Sequence, residues 1–330
     1  MKILQNQDSF VTEEYKKHAV PLVDVLNEKF RCELLTRLRK HAFFCGFLLF
    51  IASARFDVVV SVGHRTSMIY GFLNRLFPRR AKIHIAKEFF FEVPTKFSFK
   101  KWLSWILYRF AIKDVTAIVV NSAGEVKPYA QLLNLPASRF HFIPWPTNVN
   151  NPRLVHSHEG YVFASGRSLR DWETFFEAVA GLEGRVVVVA SRADMKHRTL
   201  ASNVTLLTDI SHEQYEKLLI GAMVVVVPLI DTQRSTGQAA FLEAMAYGKP
   251  VIVAKVVGTV DYIKDGYNGV FYTPGNTLEL RNKIMLLCSD TSLRERLSIN
   301  ALRSIETRFN KRCYANAMID LAKSLLEDLR

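Results

Sequence analysis

The segment from Val224 to Ala254 constrains this chain more than any other. Val224 to Val227 is an unbroken β-branched run of the kind that forms a parallel strand buried on both faces. A polar loop follows, and Ser235-Thr-Gly-Gln238 fits the S-x-x-Q capping box of a helix start. Helix-compatible residues continue to Tyr247, where Gly248 and Pro250 supply a stop signal, and Val251 to Ala254 reads as the next strand. The predicted unit is therefore strand, loop, helix, strand, with the helix opening at the carboxyl end of a parallel strand. Free N–H groups and the helix dipole favour a phosphate at that place. Glu243 interrupts the apolar run of this helix, and a buried carboxylate needs a partner. A structural salt bridge and a pair of ligand hydroxyls are the two readings.

The N-terminal half predicts alternating helices and strands. Helical spacing covers 11–30 and 34–54, with strands at 56–62, 82–86, 115–120 and 140–143 and helices at 68–76 and 123–133. Such alternation predicts a parallel sheet with helices on both faces. The glycine-rich first loop of a dinucleotide fold is missing, since the first glycine is Gly46. His64, in Gly63-His-Arg65, and Glu88, in Lys87-Glu88, follow strands, where open α/β sheets build their sites. Both are candidates for handling protons or contacting an acceptor. The segment 97–112 mixes large aromatics with Lys100, Lys101 and Arg109, which suits either core packing or a membrane interface.

A hinge is predicted at Pro144-Trp-Pro146 and Asn148 to Arg153, dividing the chain into domains 1–150 and 151–330, with the last helix free to pack back on the first. The second domain opens with a strand at 161–164. Ser165-Gly166-Arg167-Ser-Leu-Arg170 then precedes a helix at 173–182, a plausible diphosphate clasp because guanidinium groups grip phosphate oxygens in pairs. Strands at 186–190 and 204–206, Thr208-Asp-Ile210 and a helix at 212–222 lead into the Val224–Ala254 unit. Beyond it, 257–261 begins a helix, 265–269 makes a hairpin-like turn, and the remainder is helical.

Net charge is +13, and its distribution is uneven. Residues 1–150 hold 22 Lys and Arg against 11 Asp and Glu, whereas 151–330 hold 22 against 20. An anionic membrane surface, nucleic acid or a phosphorylated substrate are the partners such a basic half suits. No nucleic-acid motif accompanies the charge. The four cysteines are scattered without paired spacing, and Met1–Asp8 lacks the apolar core of a secretory leader, so a reduced, cytoplasmic setting is expected.

Five segments in order give the chain a resemblance to family-4 retaining glycosyltransferases of GT-B fold: Gly166-Arg167 before a helix, Thr208-Asp-Ile before a helix, Val227-Pro228, Phe241-Leu-Glu-Ala-Met-Ala-Tyr-Gly-Lys-Pro-Val-Ile252, and Gly258 with Asp265-Gly-Tyr-Asn-Gly269. The resemblance implies an α/β chain of two Rossmann-like domains with a cleft between them. It implies a retaining transfer from a nucleotide-diphosphate-sugar to an acceptor. The donor is expected on the second domain at Arg167, Arg170, Thr208, Ser235, Thr236, Gly237, Gln238 and Glu243, with Glu243 on the ribose hydroxyls. About eight helical residues span roughly 12 Å, comparable with the reach from ribose to sugar. No metal and no further cofactor are implied, and no D-x-D clamp is present. The acceptor, a glycan or a lipid-linked intermediate of cell-surface polysaccharide synthesis, is expected on the first domain, peripherally at the inner membrane face.

Three positions depart from the family pattern. Ser235 stands where the first of two glutamates eight apart is found, and Arg170 replaces a lysine after the Gly-Arg turn. The strand-end histidine is open between His64, His84 and the Lys87-Glu88 pair. The Ser235 departure also suits a non-catalytic subunit that binds nucleotide-sugars or glycans.

Overall fold

The computed structural model describes residues 1–6, 12–22, 24–25, 41–78, 81, 83–88, 99–196 and 199–329. It is an α/β chain of two compact units, Met1–Ile143 with Lys311–Arg330, and Pro144–Asn310. The division at Ile143/Pro144 places Asn148 in the second unit and the last helix in the first.

The first unit holds one parallel sheet in the order β2-β1-β3-β4-β5-β6, formed by Ile3–Gln5 (β1), Ala19–Pro21 (β2), Val58–Val62 (β3), Ile83–Lys87 (β4), Ala117–Val120 (β5) and Phe140–Phe142 (β6). Its strands send alternate residues to opposite faces. Val58, Val60, Ile83, Ile85, Ala117 and Val119 pack with Tyr314, Met318 and Ile319 of the last helix, α12 (Lys311–Glu327). On the other face Val59 meets Leu48 and Leu49 of α2 (Ala42–Ala52), while Ile118 and Val120 meet Tyr108 and Ile112 of α4 (Phe99–Ile112) and Tyr129 of α5 (Val126–Leu133). Complete burial of each such aliphatic side chain is worth about 1.5–3 kcal/mol. The long runs of Val and Ile are thus the main cohesive feature.

Helix α3 (His64–Leu76) lies between α2 and α4, and two glycines set the spacing. A Cβ on Gly46 would lie 2.7 Å from the Ile69 Cβ, and one on Gly71 would lie 2.6 Å from the Ala111 carbonyl oxygen.

The second unit repeats the plan with a parallel sheet of order β12-β11-β10-β7-β8-β9. Its strands are Tyr161–Gly166 (β7), Val186–Ala190 (β8), Val204–Leu207 (β9), Ala222–Val227 (β10), Val251–Ala254 (β11) and Val270–Tyr272 (β12). Its helices α6 (Trp172–Val179), α7 (Arg192–Met195), α8 (His212–Gly221), α9 (Gln238–Ala246), α10 (Thr277–Ser289) and α11 (Thr291–Thr307) connect them or follow them.

Several local expectations are corrected. Across 11–30 the described residues hold a short helix, α1 (Glu13–Lys16), then β2, and are helical again at 22, 24 and 25, because edge pairing of Ala19–Pro21 with β1 interrupts the helical spacing. Residues 7–11, 23 and 26–40 of that stretch and the next lie outside the described residues. Residues 257–262 form turns instead of a helix, tied by the Thr259 hydroxyl donating to the Ala254 carbonyl at 2.7 Å. The 265–269 turn is no hairpin: β12 runs parallel to β11, and the turn closes through Gly266 N–H to the Gly269 carbonyl at 2.9 Å.

Helix propensity alone makes Gly71→Ala stabilising by about 1 kcal/mol. The backbone oxygen 2.6 Å from the added methyl cannot swing aside, so overpacking reverses the sign. Gly71→Ala is expected to cost about 1–3 kcal/mol in urea unfolding, and a stabilised variant would refute the tight α3–α4 crossing.

Candidate functional site

The strand–loop–helix unit around Glu243 forms at the carboxyl end of β10, but its turn is built differently from the predicted capping box. Helix α9 begins at Gln238, with Gly237 as its N-cap at φ 89° and no side-chain cap. Ser235 is buried three residues earlier and does not cap. Gly237 is required because that backbone conformation disfavours any residue with a Cβ. The Gln238 amide donates from Nε2 to the Gly258 carbonyl at 3.0 Å, and a Cβ on Gly258 would meet the Thr236 nitrogen at 2.6 Å. Thr236 to Gln238 are therefore clamped against the loop after β11. The Gln238 side chain is spent on that clamp.

A cavity of about 660 Å³ opens beside this helix. Gly166, Arg167 and Arg170 from the end of β7 line it together with Asp209, Ile210, Ala240 and Glu243. The structure thus gathers three of the expected donor residues, Arg167, Arg170 and Glu243, around one space. Thr208, Ser235, Thr236, Gly237 and Gln238 are not among its described lining; Asp209 and Ile210 supply the wall next to Thr208, and Ala239 and Ala240 the wall of α9. Arg167 is exposed. Arg170 is half-buried at the clasp, donating from Nε to the Ser165 carbonyl and from Nη1 to the Ser168 carbonyl, each at 2.9 Å. A Cβ on Gly166 would fall 2.1 Å from Nε of Arg170, so only glycine leaves room for this guanidinium. Burial lowers the Arg170 pKa to about 10, against the opposing pull of Tyr215 and Asp194, and it stays a cation at neutral pH.

Among the described residues, Glu243 has no cationic side chain as its hydrogen-bond partner. It accepts from the Tyr215 hydroxyl and from Asn148, with His212 near. Burial raises its carboxyl above the usual carboxylate range, and these two hydrogen bonds only partly offset that push. Tyr215 also lies 3.3 Å from the Ser165 hydroxyl, and so links the end of β7 to α9. A second cavity of about 330 Å³, lined by Asn148, Asn150 and Arg153, shares Glu243, Tyr215 and His212 with the first. Sequence reading missed Asn148 and Tyr215. Neither carries a motif signal, since Asn148 reads as hinge and Tyr215 as one aromatic on a helix.

In the first unit, β3 and β4 are neighbours with Val62 opposite Lys87, and the Gly63 N–H donates to the Lys87 carbonyl at 3.0 Å. His64 and Glu88 therefore follow adjacent strand ends. Burial, then the Arg65 charge, lowers the His64 pKa, favouring neutral imidazole. Burial raises the Glu88 pKa against the pull of Lys87, and Glu88 takes a positive φ of 53°. Lys87 is buried, with its Nζ 5.3 Å from the Tyr314 ring centroid and its pKa lowered by burial to about 8. His84 is settled as a core residue. It is buried, with Nε2 2.7 Å from the Ser61 hydroxyl and Nδ1 3.3 Å from an Asp114 carboxylate oxygen.

Residues 187–304 match the family model for glycosyl transferases group 1. The chain is 33% identical over 86 residues to a sucrose synthase of Melioribacter roseus, covering 25% of this chain and 11% of that one. It is 30% identical over 124 residues to an uncharacterised glycosyltransferase of Methanocaldococcus jannaschii, covering 38% and 31% respectively. The matched segments thus span between about a tenth and a third of these relatives. The Anabaena protein HepE, solved in complex with UDP, superposes with a TM-score of 0.71 at 15% identity over 98% of this chain and 100% of that one, a likeness of fold.

Tyr215→Phe removes one hydroxyl that joins Glu243 to Ser165 while keeping the ring. It is expected to cost about 1 kcal/mol in urea unfolding, since the hydroxyl's bonds are internal to the folded chain and one such hydrogen bond is worth about that much. Unchanged stability would remove the Tyr215 hydroxyl from the support of Glu243.

The two parallel-sheet units and these matches together give the chain a GT-B fold and, over residues 187–304, a match to the family model for glycosyl transferases group 1.

Proposed function

We propose that the protein is a glycosyltransferase that moves a sugar from a nucleotide-diphosphate-sugar to an acceptor hydroxyl with retention at the anomeric carbon. The observation that carries this reading is Glu243: a half-buried carboxylate held by a phenol and a carboxamide, facing the cavity that Arg167 and Arg170 also line. A carboxylate with unused lone pairs is suited to a vicinal hydroxyl pair such as a ribose. Guanidinium groups at the same cavity suit the diphosphate. In the transfer, the bond from the anomeric carbon to the diphosphate oxygen breaks, the acceptor oxygen forms the new bond, and the acceptor hydroxyl's proton leaves with the nucleoside diphosphate. Negative charge grows on the departing nucleoside diphosphate, and Arg167 and Arg170 are assigned to stabilise it, together with the amides of Thr236 to Gln238. The proposal requires no metal, and activity is expected to survive chelation by EDTA.

His64 and Glu88 are assigned to the acceptor, which the first unit is proposed to hold. The acceptor is proposed to be a glycan or lipid-linked intermediate in cell-surface polysaccharide synthesis, with the chain on the cytoplasmic side of a membrane. The excess positive charge of residues 1–150 supports this.

A non-catalytic nucleotide-sugar-binding subunit is favoured by one feature, the buried Ser235 where the first of two glutamates is expected. Turnover of donors with and without acceptor separates the two: binding with neither transfer nor hydrolysis of any donor is the outcome that selects the subunit. The anomeric configuration of the product, read by NMR coupling constants, tests retention.

Glu243→Ala is expected to weaken nucleoside-diphosphate affinity by tenfold or more, since hydrogen bonds to a charged group are worth about 1.5–3 kcal/mol. The pH dependence carries a sign. With its folded pKa raised, Glu243 contributes stability that is present at acid pH and lost as pH rises through that pKa. Hydroxyl binding needs the ionised form, so donor affinity should fall as pH drops through the same pKa. Glu243→Gln should flatten that step, and an unchanged pH profile in this variant would sink the assignment.

A further inference from the structure

The helical layer α2–α3–α4 has an outward surface that neither the core nor the proposed donor site uses. Helix α2 is Ala-Phe-Phe-Cys-Gly-Phe-Leu-Leu-Phe-Ile-Ala, without a single charged residue. Its inner side is buried against the sheet through Leu48, Leu49 and Phe50, yet Phe43 is 64% exposed, Phe44 41% and Phe47 42%. Phe43 and Phe47 are one helical turn apart and share a face. On α4, Ile106 and Leu107 are also exposed, as are Leu76 and Phe77 at the end of α3. Seven large apolar side chains thus stand in water on three helices that pack in sequence. Scattered exposed apolar residues are ordinary, whereas a concentration of this kind marks a contact surface.

The charges of the layer are of one sign. Helix α3 contributes Arg65 and Arg75, and α4 contributes Lys100, Lys101 and Arg109; the three helices contain no Asp or Glu. Arg65, Arg75 and Arg109 are exposed, and Lys113 follows α4 at the surface. Arg75 also stacks on Phe110, its guanidinium carbon 4.5 Å from the ring centroid. Gly46 and Gly71 hold the helices too close for the layer to splay. We propose that this layer docks on an anionic lipid bilayer, with Phe43, Phe44 and Phe47 entering the headgroup–acyl boundary and the arginines lying among lipid phosphates.

Charge decides the occupant. A second copy meeting this face about a two-fold axis would bring cations against cations with no carboxylate on the three helices to pair them. Nucleic acid would meet a helix with nothing but apolar atoms to offer its phosphates. A bilayer with anionic headgroups satisfies both parts at once, taking phenylalanine rings at the interface and cations at the phosphates. The inference deepens the peripheral-membrane part of the function proposed above, and its test does not depend on sugar transfer.

Flotation is measured with vesicles of phosphatidylcholine alone and of phosphatidylcholine with phosphatidylglycerol. The probes are the wild-type chain, the variant Phe43→Ser/Phe44→Ser/Phe47→Ser, and the variant Arg75→Glu/Arg109→Glu. The wild type is expected to float with the anionic vesicles and weakly with the neutral ones. The phenylalanine variant should lose about tenfold or more of its partitioning on anionic vesicles, and the arginine variant should lose the preference for them. All five substituted positions lie outside the cavity near Glu243, so cooperative melting and nucleoside-diphosphate binding should be retained in both variants. Loss of nucleotide binding in the wild type itself strikes the donor reading and leaves flotation to be judged alone. Equal flotation of wild type and phenylalanine variant overturns the docking face. So does a wild type that stays unbound to anionic vesicles at low salt, including one that forms a phenylalanine-dependent dimer in light scattering.

Discussion

A parallel sheet must be covered on both faces, and this requirement organises the whole chain. Its strands here are almost continuous Val, Ile and Ala, so neither face can be left to water. In the first unit α12 covers one face while α2, α4 and α5 cover the other, although α12 comes from the far end of the sequence. Parallel connection also puts every strand's carboxyl end at the same edge of its sheet. The clasp after β7, the loop after β9 and the start of α9 after β10 therefore meet at one cavity. In the first unit the same rule brings His64 and Glu88 to adjacent strand ends.

Within that framework Glu243 is the expensive residue. An ionised carboxylate removed from water needs compensation, and here it receives two neutral hydrogen-bond donors and a nearby imidazole in place of a salt bridge. That arrangement leaves the carboxylate poised for a ligand instead of neutralised by its own protein. Arg170 shows the opposite solution. Its guanidinium is fastened by two backbone carbonyls through the gap at Gly166, fixing a cation in place before any anion arrives. Binding to groups already held in position avoids the entropy cost of ordering them.

The sequence was most legible where local chemistry and tertiary environment agree. The β10–α9–β11 unit, the Gly166-Arg167 clasp and the alternation of strands with helices follow from β-branched runs, glycine stops and helical spacing. It was least legible where pairing partners are remote. Residues 12–21 have helical spacing, yet β1 takes Ala19–Pro21 as an edge strand. Ser235 has the chemistry of a cap, yet Gly237 takes that position because the loop is pressed against Gly258. The strand-end histidine is open in the sequence between His64, His84 and the Lys87-Glu88 pair, and the structure buries His84 in the core against Asp114 and Ser61.

By itself the sequence determined the two parallel sheets, the position of a phosphate-favouring helix start, and the need for Glu243 to have a partner. These depend on residue type and spacing over a few turns. Only the tertiary structure decided who that partner is. Asn148 and Tyr215 are 95 and 28 residues away along the chain, and neither is marked by any local pattern. It also decided that Phe43, Phe44 and Phe47 face water while Leu48 and Phe50 do not. An all-apolar helix carries no amphipathic signal, so only packing against α3 and the sheet selects its inner face.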